Sequence, residues 1–152
     1  MASVEVIMTL PQAGMALVLD DADILSPTQV LGKFLVKQDD PRVVGHFDTM
    51  MGALIGEFAH QTATFLMLKK TDGFLPILTS SHIDLEGKVP AFPGDLLFCD
   101  ARLDHQEGRS ATFFARVYKE VGADTKEVAT VSFSGLLASK RALLRKKLRA
   151  VV

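Results

Sequence analysis

The sequence predicts an α+β domain in which one long helix packs against an antiparallel sheet. Two observations carry this expectation. Residues 52–68 are nearly all small or hydrophobic, with Glu57, His60 and Gln61 as the main polar interruptions. A helix that is apolar on all sides belongs inside a protein rather than on its surface. The second half of the chain is different in kind. Residues 75–84, 95–103, 110–121 and 127–137 are extended stretches joined by the turn signals Glu86-Gly87-Lys88, Pro93-Gly94-Asp95, Gln106-Glu107-Gly108 and Gly122-Ala123-Asp124. Within them, Ala111, Phe113, Ala115 and Val117 alternate with Thr112, Phe114, Arg116 and Tyr118, and Val131 and Phe133 alternate with Thr130, Ser132 and Ser134. That period of two is the mark of antiparallel meander strands.

The first third is less regular. Residues 4–10 read as a short apolar lead-in ending at Pro11, and Gln12-Ala13-Gly14 as a turn. Residues 15–19 (MALVL) read as a strand or strand edge, residues 20–27 as a polar, turn-rich link, and residues 30–37 as a second strand. Pro41 biases Asp40 away from helix, so residues 38–41 form a loop. Gly73 suits the left-handed position that ends a helix.

The 152 residues make one domain over residues 1–138, followed by a basic tail or helix over residues 139–152. A chain of this size buries roughly 70% of the surface it exposes when unfolded. Hydrophobic residues are 48% of the total, which excludes disorder. Glu57, His60 and Gln61 interrupt the central apolar run, so a membrane span is not expected. The N-terminus lacks the basic and apolar regions of a secretory signal. Cys99 is the single cysteine, which rules out an internal disulfide and a cysteine-based zinc site and fits a reducing cytoplasm. A net charge of −1 offers no global attraction for nucleic acid.

The candidate chemistry lies around the helix. Carboxylates are almost never fully buried unless paired, and burial would raise the pKa of Glu57 until it could serve as a general acid. His60 and Gln61 stand three and four residues further on, on the same helical face. They either orient the carboxyl group or are polar groups satisfied at an interface. Residues 49–52 lie at the helix start, where free amides can hold a carbonyl oxygen that gains negative charge. Gly52 and Gly56 form a small-residue pair suited to close approach of a ligand or of another backbone. His82 and His105 have no acid near them in sequence and are read as non-catalytic.

Gly45-His46-Phe47 followed by the run from Gly52 through Glu57 to Gln61 resembles the active-site segment of the (3R)-hydroxyacyl-acyl carrier protein dehydratases of bacterial fatty-acid synthesis: GHF, a loop, then G-h-h-x-x-E-x-x-x-Q. Pro93-Gly94-Asp95 is similar to the turn between strands in that family, and Leu10-Pro11 with the apolar run after it resembles its N-terminal segment. The likeness covers residues 10–138. In this chain the loop between His46 and Gly52 is shorter, and Pro11-Gln12-Ala13 stands where the family has Pro-His-Arg, which marks a divergent member.

The resemblance implies a hotdog fold, a long helix wrapped by an antiparallel sheet, and a homodimer or a hexamer built as a trimer of dimers. It implies that His46 of one subunit removes the α-proton of a 3-hydroxyacyl thioester while Glu57 of the other protonates the departing hydroxyl. Gly52 and Gln61 would contact the substrate or its oxyanion. No metal or other cofactor is implied. The substrate would be carried by acyl carrier protein or coenzyme A. Lys33, Arg42 and the tail cations Lys140, Arg141, Arg145, Lys146 and Lys147 are candidates to meet an acidic carrier. Two alternatives stand beside this reading: a hotdog acyl-thioesterase, in which the helix carboxylate alone activates water or attacks the thioester, and a hotdog domain that holds an acyl chain without turnover.

Overall fold

The computed structural model of the chain describes residues 1–10, 16–45, 49–71, 74–139 and 141. In chain order the elements are α1 (Val4–Thr9), β1 (Asp21–Ser26), β2 (Gln29–Leu35), α2 (Gly52–Thr71), β3 (Phe74–Asp84), β4 (Leu96–Glu107), β5 (Ser110–Val121) and β6 (Asp124–Ser139). Among the described residues the strands form one sheet in the order β1-β2-β4-β5-β6-β3, and every neighbouring pair is antiparallel. This is the hotdog architecture expected from the sequence.

Helix α2 has 20 residues, about 30 Å of helix. From Gln61 to Leu68 every residue is buried, so apolar groups are needed on all sides. Phe58, Phe65, Leu66 and Met67 are at most 1% exposed, and each such side chain contributes about 1.5–3 kcal/mol of burial. Lys69 and Lys70 sit in the last turn, where cations offset the helix dipole.

The sheet face against α2 is built from small residues, which lets the helix lie close. Ala101, Ala111, Ala115 and Ala129 are fully buried there. Gly32, opposite Cys99 in the β2–β4 register, faces Thr62 so closely that a Cβ at position 32 would overlap the threonine side chain. Phe113 and Phe133, paired across β5 and β6, stack with centroids 5.1 Å apart. The outer face carries the alternate residues, including Phe98 stacked on Tyr118 and Glu127 bridging Lys88 and Arg116.

The N-terminal third corrects the sequence reading. The lead-in is helix α1, capped by the Ser3 hydroxyl, which accepts from the Val6 amide. Residues 16–19 are not a strand, although Val18 and Leu19 are buried. A side chain of α2 bonds the Ala16 carbonyl and the Val18 amide, and Arg42 donates to the Leu17 carbonyl, in place of a ladder. The first strand lies in the stretch read as a polar link. Asp21–Ser26 is an edge strand whose exposed face tolerates polar residues, held in register by pairs such as Asp21 with Lys33. The expected turn at residues 12–14, the helix end at Gly73 and the tail beyond Arg141 lie outside the described residues. Among the described residues no helix is long and apolar enough to cross a membrane.

Candidate active site

Gly52 opens α2, so its amide belongs to the turn whose N–H groups have no acceptor within the helix. The amide of Met50, one of the other expected oxyanion donors, is already committed to the Ala91 carbonyl at 2.9 Å. That contact ties the helix start to the loop ending in Pro93-Gly94-Asp95. Lys119, 8% exposed, secures the same loop: its Nζ donates to the Pro90 carbonyl at 2.9 Å and to Asp95 Oδ2 at 2.6 Å. Asp95 Oδ2 also accepts the Phe92 amide. The Pro-Gly-Asp motif therefore shapes the floor under the helix start.

One turn along, a Cβ at Gly56 would stand 2.5 Å from Ile83 Cδ1, and one at Gly52 would stand 3.1 Å from Leu85 Cδ1. The glycine pair lets the end of β3 press against the helix. Close packing, rather than an open approach for a ligand, is what the two glycines provide here.

Glu57 and Gln61 meet. Gln61 is fully buried and uses both ends of its amide: Nε2 donates to Glu57 Oε1 at 2.8 Å and to the Ala16 carbonyl at 2.6 Å, and Oε1 accepts the Val18 amide at 2.8 Å. Residues 16–18 are thus stitched to the helix at the level of Glu57. The other carboxylate oxygen, Oε2, lies 3.6 Å from His60 Nδ1. His60 in turn places Nε2 2.9 Å from Ser81 Oγ on β3 and sets its ring edge-on to Phe133 at 4.8 Å.

The expectation of a sequestered, neutral Glu57 is corrected at this point. The side chain is 41% exposed, and its carboxyl is held below the usual carboxylate range, chiefly by His60, with burial opposing and Gln61 adding to the effect. In a single chain these contacts favour its charged form. The cause is tertiary: His60 is turned onto Glu57 by Ser81, which sequence spacing does not disclose.

His46 lies outside the described residues. Its neighbour Gly45 has φ +90° with open space where a Cβ would stand, so the glycine of the GHF motif is required by backbone conformation. Arg42 and Lys33, expected as contacts for an acidic carrier, each pair with an aspartate of this chain. Arg42 Nε and Nη2 grip Asp40 at 2.9 and 2.6 Å, and its guanidinium lies over the Phe34 ring. Lys33 pairs with Asp23 at 2.9 Å. Arg141 is exposed; the other tail cations are outside the described residues. His82 is exposed, as is His105, which lies 3.9 Å from Glu107. Burial pushes the Cys99 thiol up to about 12, which removes it as a nucleophile at neutral pH. Among the described residues no group of three or more His, Cys, Asp or Glu side chains could hold a metal ion.

The family model of the thioesterase superfamily matches residues 47–126, a span that runs from the helix start through Glu57 and the Pro-Gly-Asp turn to β6. The chain belongs to the thioesterase superfamily. Solved structures of similar fold span its chemistry. The dehydratase heterocomplex ApeI:P from Xenorhabdus doucetiae is 17% identical, with 92% of this chain and 95% of that chain covered and a TM-score of 0.73. Zebra fish thioesterase superfamily member 2 is 15% identical over 88% and 93% of the two chains, with a TM-score of 0.68. A Streptococcus mutans protein bound to acetyl CoA is 18% identical over 79% and 89%, with a TM-score of 0.63. At these identities the likeness is one of fold. No curated protein matches the sequence.

Proposed function

We propose that this thioesterase-superfamily protein is a dehydratase of 3-hydroxyacyl thioesters, carried by acyl carrier protein or coenzyme A. The observation that carries the reading is the Glu57–Gln61 pair, the E-x-x-x-Q of the dehydratase pattern, in which a buried amide fixes one oxygen of the carboxyl group. His46 takes the α-proton, the electron pair forms the Cα–Cβ double bond, and the C–O bond breaks. The hydroxyl leaves as water with the proton of Glu57. The thioester carbonyl rests on the Gly52 amide while charge builds on it. Acid–base catalysis of this kind contributes about 10²–10⁴ in rate, and an oxyanion donor about 10²–10³. Protein groups alone suffice for the elimination.

The acid role needs Glu57 to hold a proton. Substrate and a second subunit over the exposed side of Glu57 would remove water from it and raise its pKa. Edge strand β3 suits such a seam. Among the described residues its outer edge pairs with no strand, and Phe74, Ile77 and Leu78 along it are more than a third exposed. An unpaired edge of this kind is a template for a second chain. We read the dimer, or a hexamer of three such dimers, as assembled there, in the cytoplasm.

One observation favours a second reading. A carboxyl group held ionised is a base rather than an acid, and would activate water for hydrolysis of an acyl thioester. Incubation with 3-hydroxyacyl and with saturated acyl thioesters separates the two. Dehydration predicts enoyl absorbance from the first substrate and no free thiol from either. Free thiol from the saturated substrate would replace the proposal with hydrolysis. Binding without either product would leave an acyl-holding domain.

A further inference from the structure

We propose that His60, anchored by Ser81 on β3, is a positioning residue that fixes the orientation of the Glu57 carboxyl group and sets the pH at which it exchanges its proton. The inference deepens the reading of Glu57 as the proton donor and rests on it.

The geometry assigns one partner to each carboxylate oxygen. Gln61 holds Oε1 and His60 stands at Oε2. Each partner is itself tied down from outside the helix, Gln61 by residues 16 and 18 and His60 by Ser81. A carboxyl group approached at both oxygens by anchored groups has its plane and its rotamer defined. At 3.6 Å the imidazole stands just beyond ordinary hydrogen-bond length from Oε2, so the strength of the contact depends on where Ser81 keeps the ring.

The packing exists to make this contact. His60 is 17% exposed, an unusual depth for a polar residue on the open side of a helix. The absent side chain at Gly56 admits Ile83, and two residues earlier on β3 the Ser81 hydroxyl reaches the ring. The register of β3 against β6 shifts between Leu78 and Ser80, a bulge that re-aims side chains. Beyond it Leu78 and Pro76, with His60, Ala63 and Thr64, line a small cavity under the helix. Among the described residues several groups stand around Glu57 and His60, with Asp104 of β4 lining the same groove as Ser81 and Phe133. From α2 there is Gln61; from residues 16–18, backbone only; from β6, the Phe133 ring; from β3, Ser81, with His82 lining the groove with Ser132 and Asp84 bonded to the Glu86 amide. Among the described residues His60 and Gln61 are the side chains that act on Glu57.

The test uses the full chain labelled with ¹³C at the glutamate carboxyls, Glu57 being identified by Glu57→Gln. His60→Phe removes both the anchor and the imidazole contact, Ser81→Ala removes only the anchor, and His60→Gln keeps a polar contact without the imidazole. The Glu57 titration midpoint is expected to rise in His60→Phe, because the largest of the contacts that favour its charged form is lost. It should rise by less in Ser81→Ala. With a 3-hydroxyacyl thioester, His60→Phe should lower kcat by about tenfold at unchanged KM, since misplacement of a reacting group acts on the barrier. His60→Gln should recover most of that loss while its alkaline limb stays displaced. A Glu57 midpoint that does not move in either His60→Phe or Ser81→Ala overturns the proposal. If the midpoint moves but the parent protein dehydrates nothing, the positioning role stands and the assigned reaction falls.

Discussion

Gln61 sits 2.8 Å from Glu57 and spends its remaining hydrogen-bonding capacity on the backbone of residues 16 and 18. The amide joins the Glu57 carboxyl group on its own helix to an N-terminal segment that is distant in sequence and not part of the sheet. Gln61→Leu leaves the buried Val18 N–H without its partner and takes one donor from the Ala16 carbonyl, which sits at an exposed residue. At about 1–3 kcal/mol for an unsatisfied buried group, we expect a loss of about 1–3 kcal/mol in urea denaturation. Turnover should fall further than stability explains, because Oε1 of Glu57 is released too.

Glu57→Gln and His46→Ala test the chemical roles directly. Glu57 is 41% exposed, and a substitution at such a site changes stability by little, about half a kcal/mol. We expect melting behaviour and oligomeric state to be retained, and dehydration to fall by at least about 10² in each variant. Near-normal turnover in either would remove that residue from the mechanism.

What was legible in the sequence follows the reach of its interactions. Strands β4 to β6 and helix α2 announce themselves because alternation and an all-round apolar run are local patterns, and the E-x-x-x-Q pair because four residues is one helical turn. Strand β1 was hidden because an edge strand can carry Asp21, Asp23 and Ser26 without cost to the core. Residues 16–19 show the opposite case: Val18 and Leu19 are as buried as strand residues, but the Val18 amide is bonded to Gln61, 43 positions away, and not to a neighbouring strand. The ionised state of Glu57 was illegible for the same reason, since Ser81 fixes His60 across 21 positions.

Close approach of α2 to the sheet depends on Gly32, where an added Cβ would meet both outer atoms of Thr62 and, at 3.0 Å, Leu19 Cδ1. Overpacking of this kind costs about 1–3 kcal/mol. Gly32→Ala should therefore lower stability by about 2 kcal/mol. Thr62→Ala removes the two obstructing atoms, so the double variant should be more stable than the two single losses sum to. A coupling energy above about 0.5 kcal/mol in a double-mutant cycle marks direct contact; strict additivity would deny it.

Asp40, 6% exposed, has its carboxyl held below the usual range, first by the hydrogen bond from Arg42, with burial opposing. A depressed folded-state pKa means that the pair's stabilisation is present above the ordinary Asp value near 3.9 and is lost as pH falls through the lower folded value. We expect the parent to lose stability across that acid window, and Asp40→Asn to lose less there while being weaker at pH 7. Removal of one partner, as in Arg42→Met, should cost about 3 kcal/mol at neutral pH because a buried carboxylate is left behind. Denaturation curves from pH 7 to 3 compare the three proteins.

Lys119 links the same logic to the site. Its ammonium is buried between Asp95 and the Pro90 carbonyl and lies 5.2 Å from the Phe92 ring centroid. The loop it holds accepts the Met50 amide through Ala91, two residues before Gly52 begins α2. Lys119→Met keeps the aliphatic stem and removes the charge, leaving Asp95 with the Phe92 amide as its remaining hydrogen-bond donor. The expected loss is about 3–5 kcal/mol, the usual cost of breaking a buried ion pair from one side. Restoring charge balance with Asp95→Asn in the same chain should recover part of it. Because the loop sets where the helix starts, Lys119→Met should also raise KM for the thioester in the fraction that stays folded, and Asp95→Asn alone should do so less. Equal KM values in all three variants would mean that the Pro-Gly-Asp turn supports the fold but does not shape the binding of substrate.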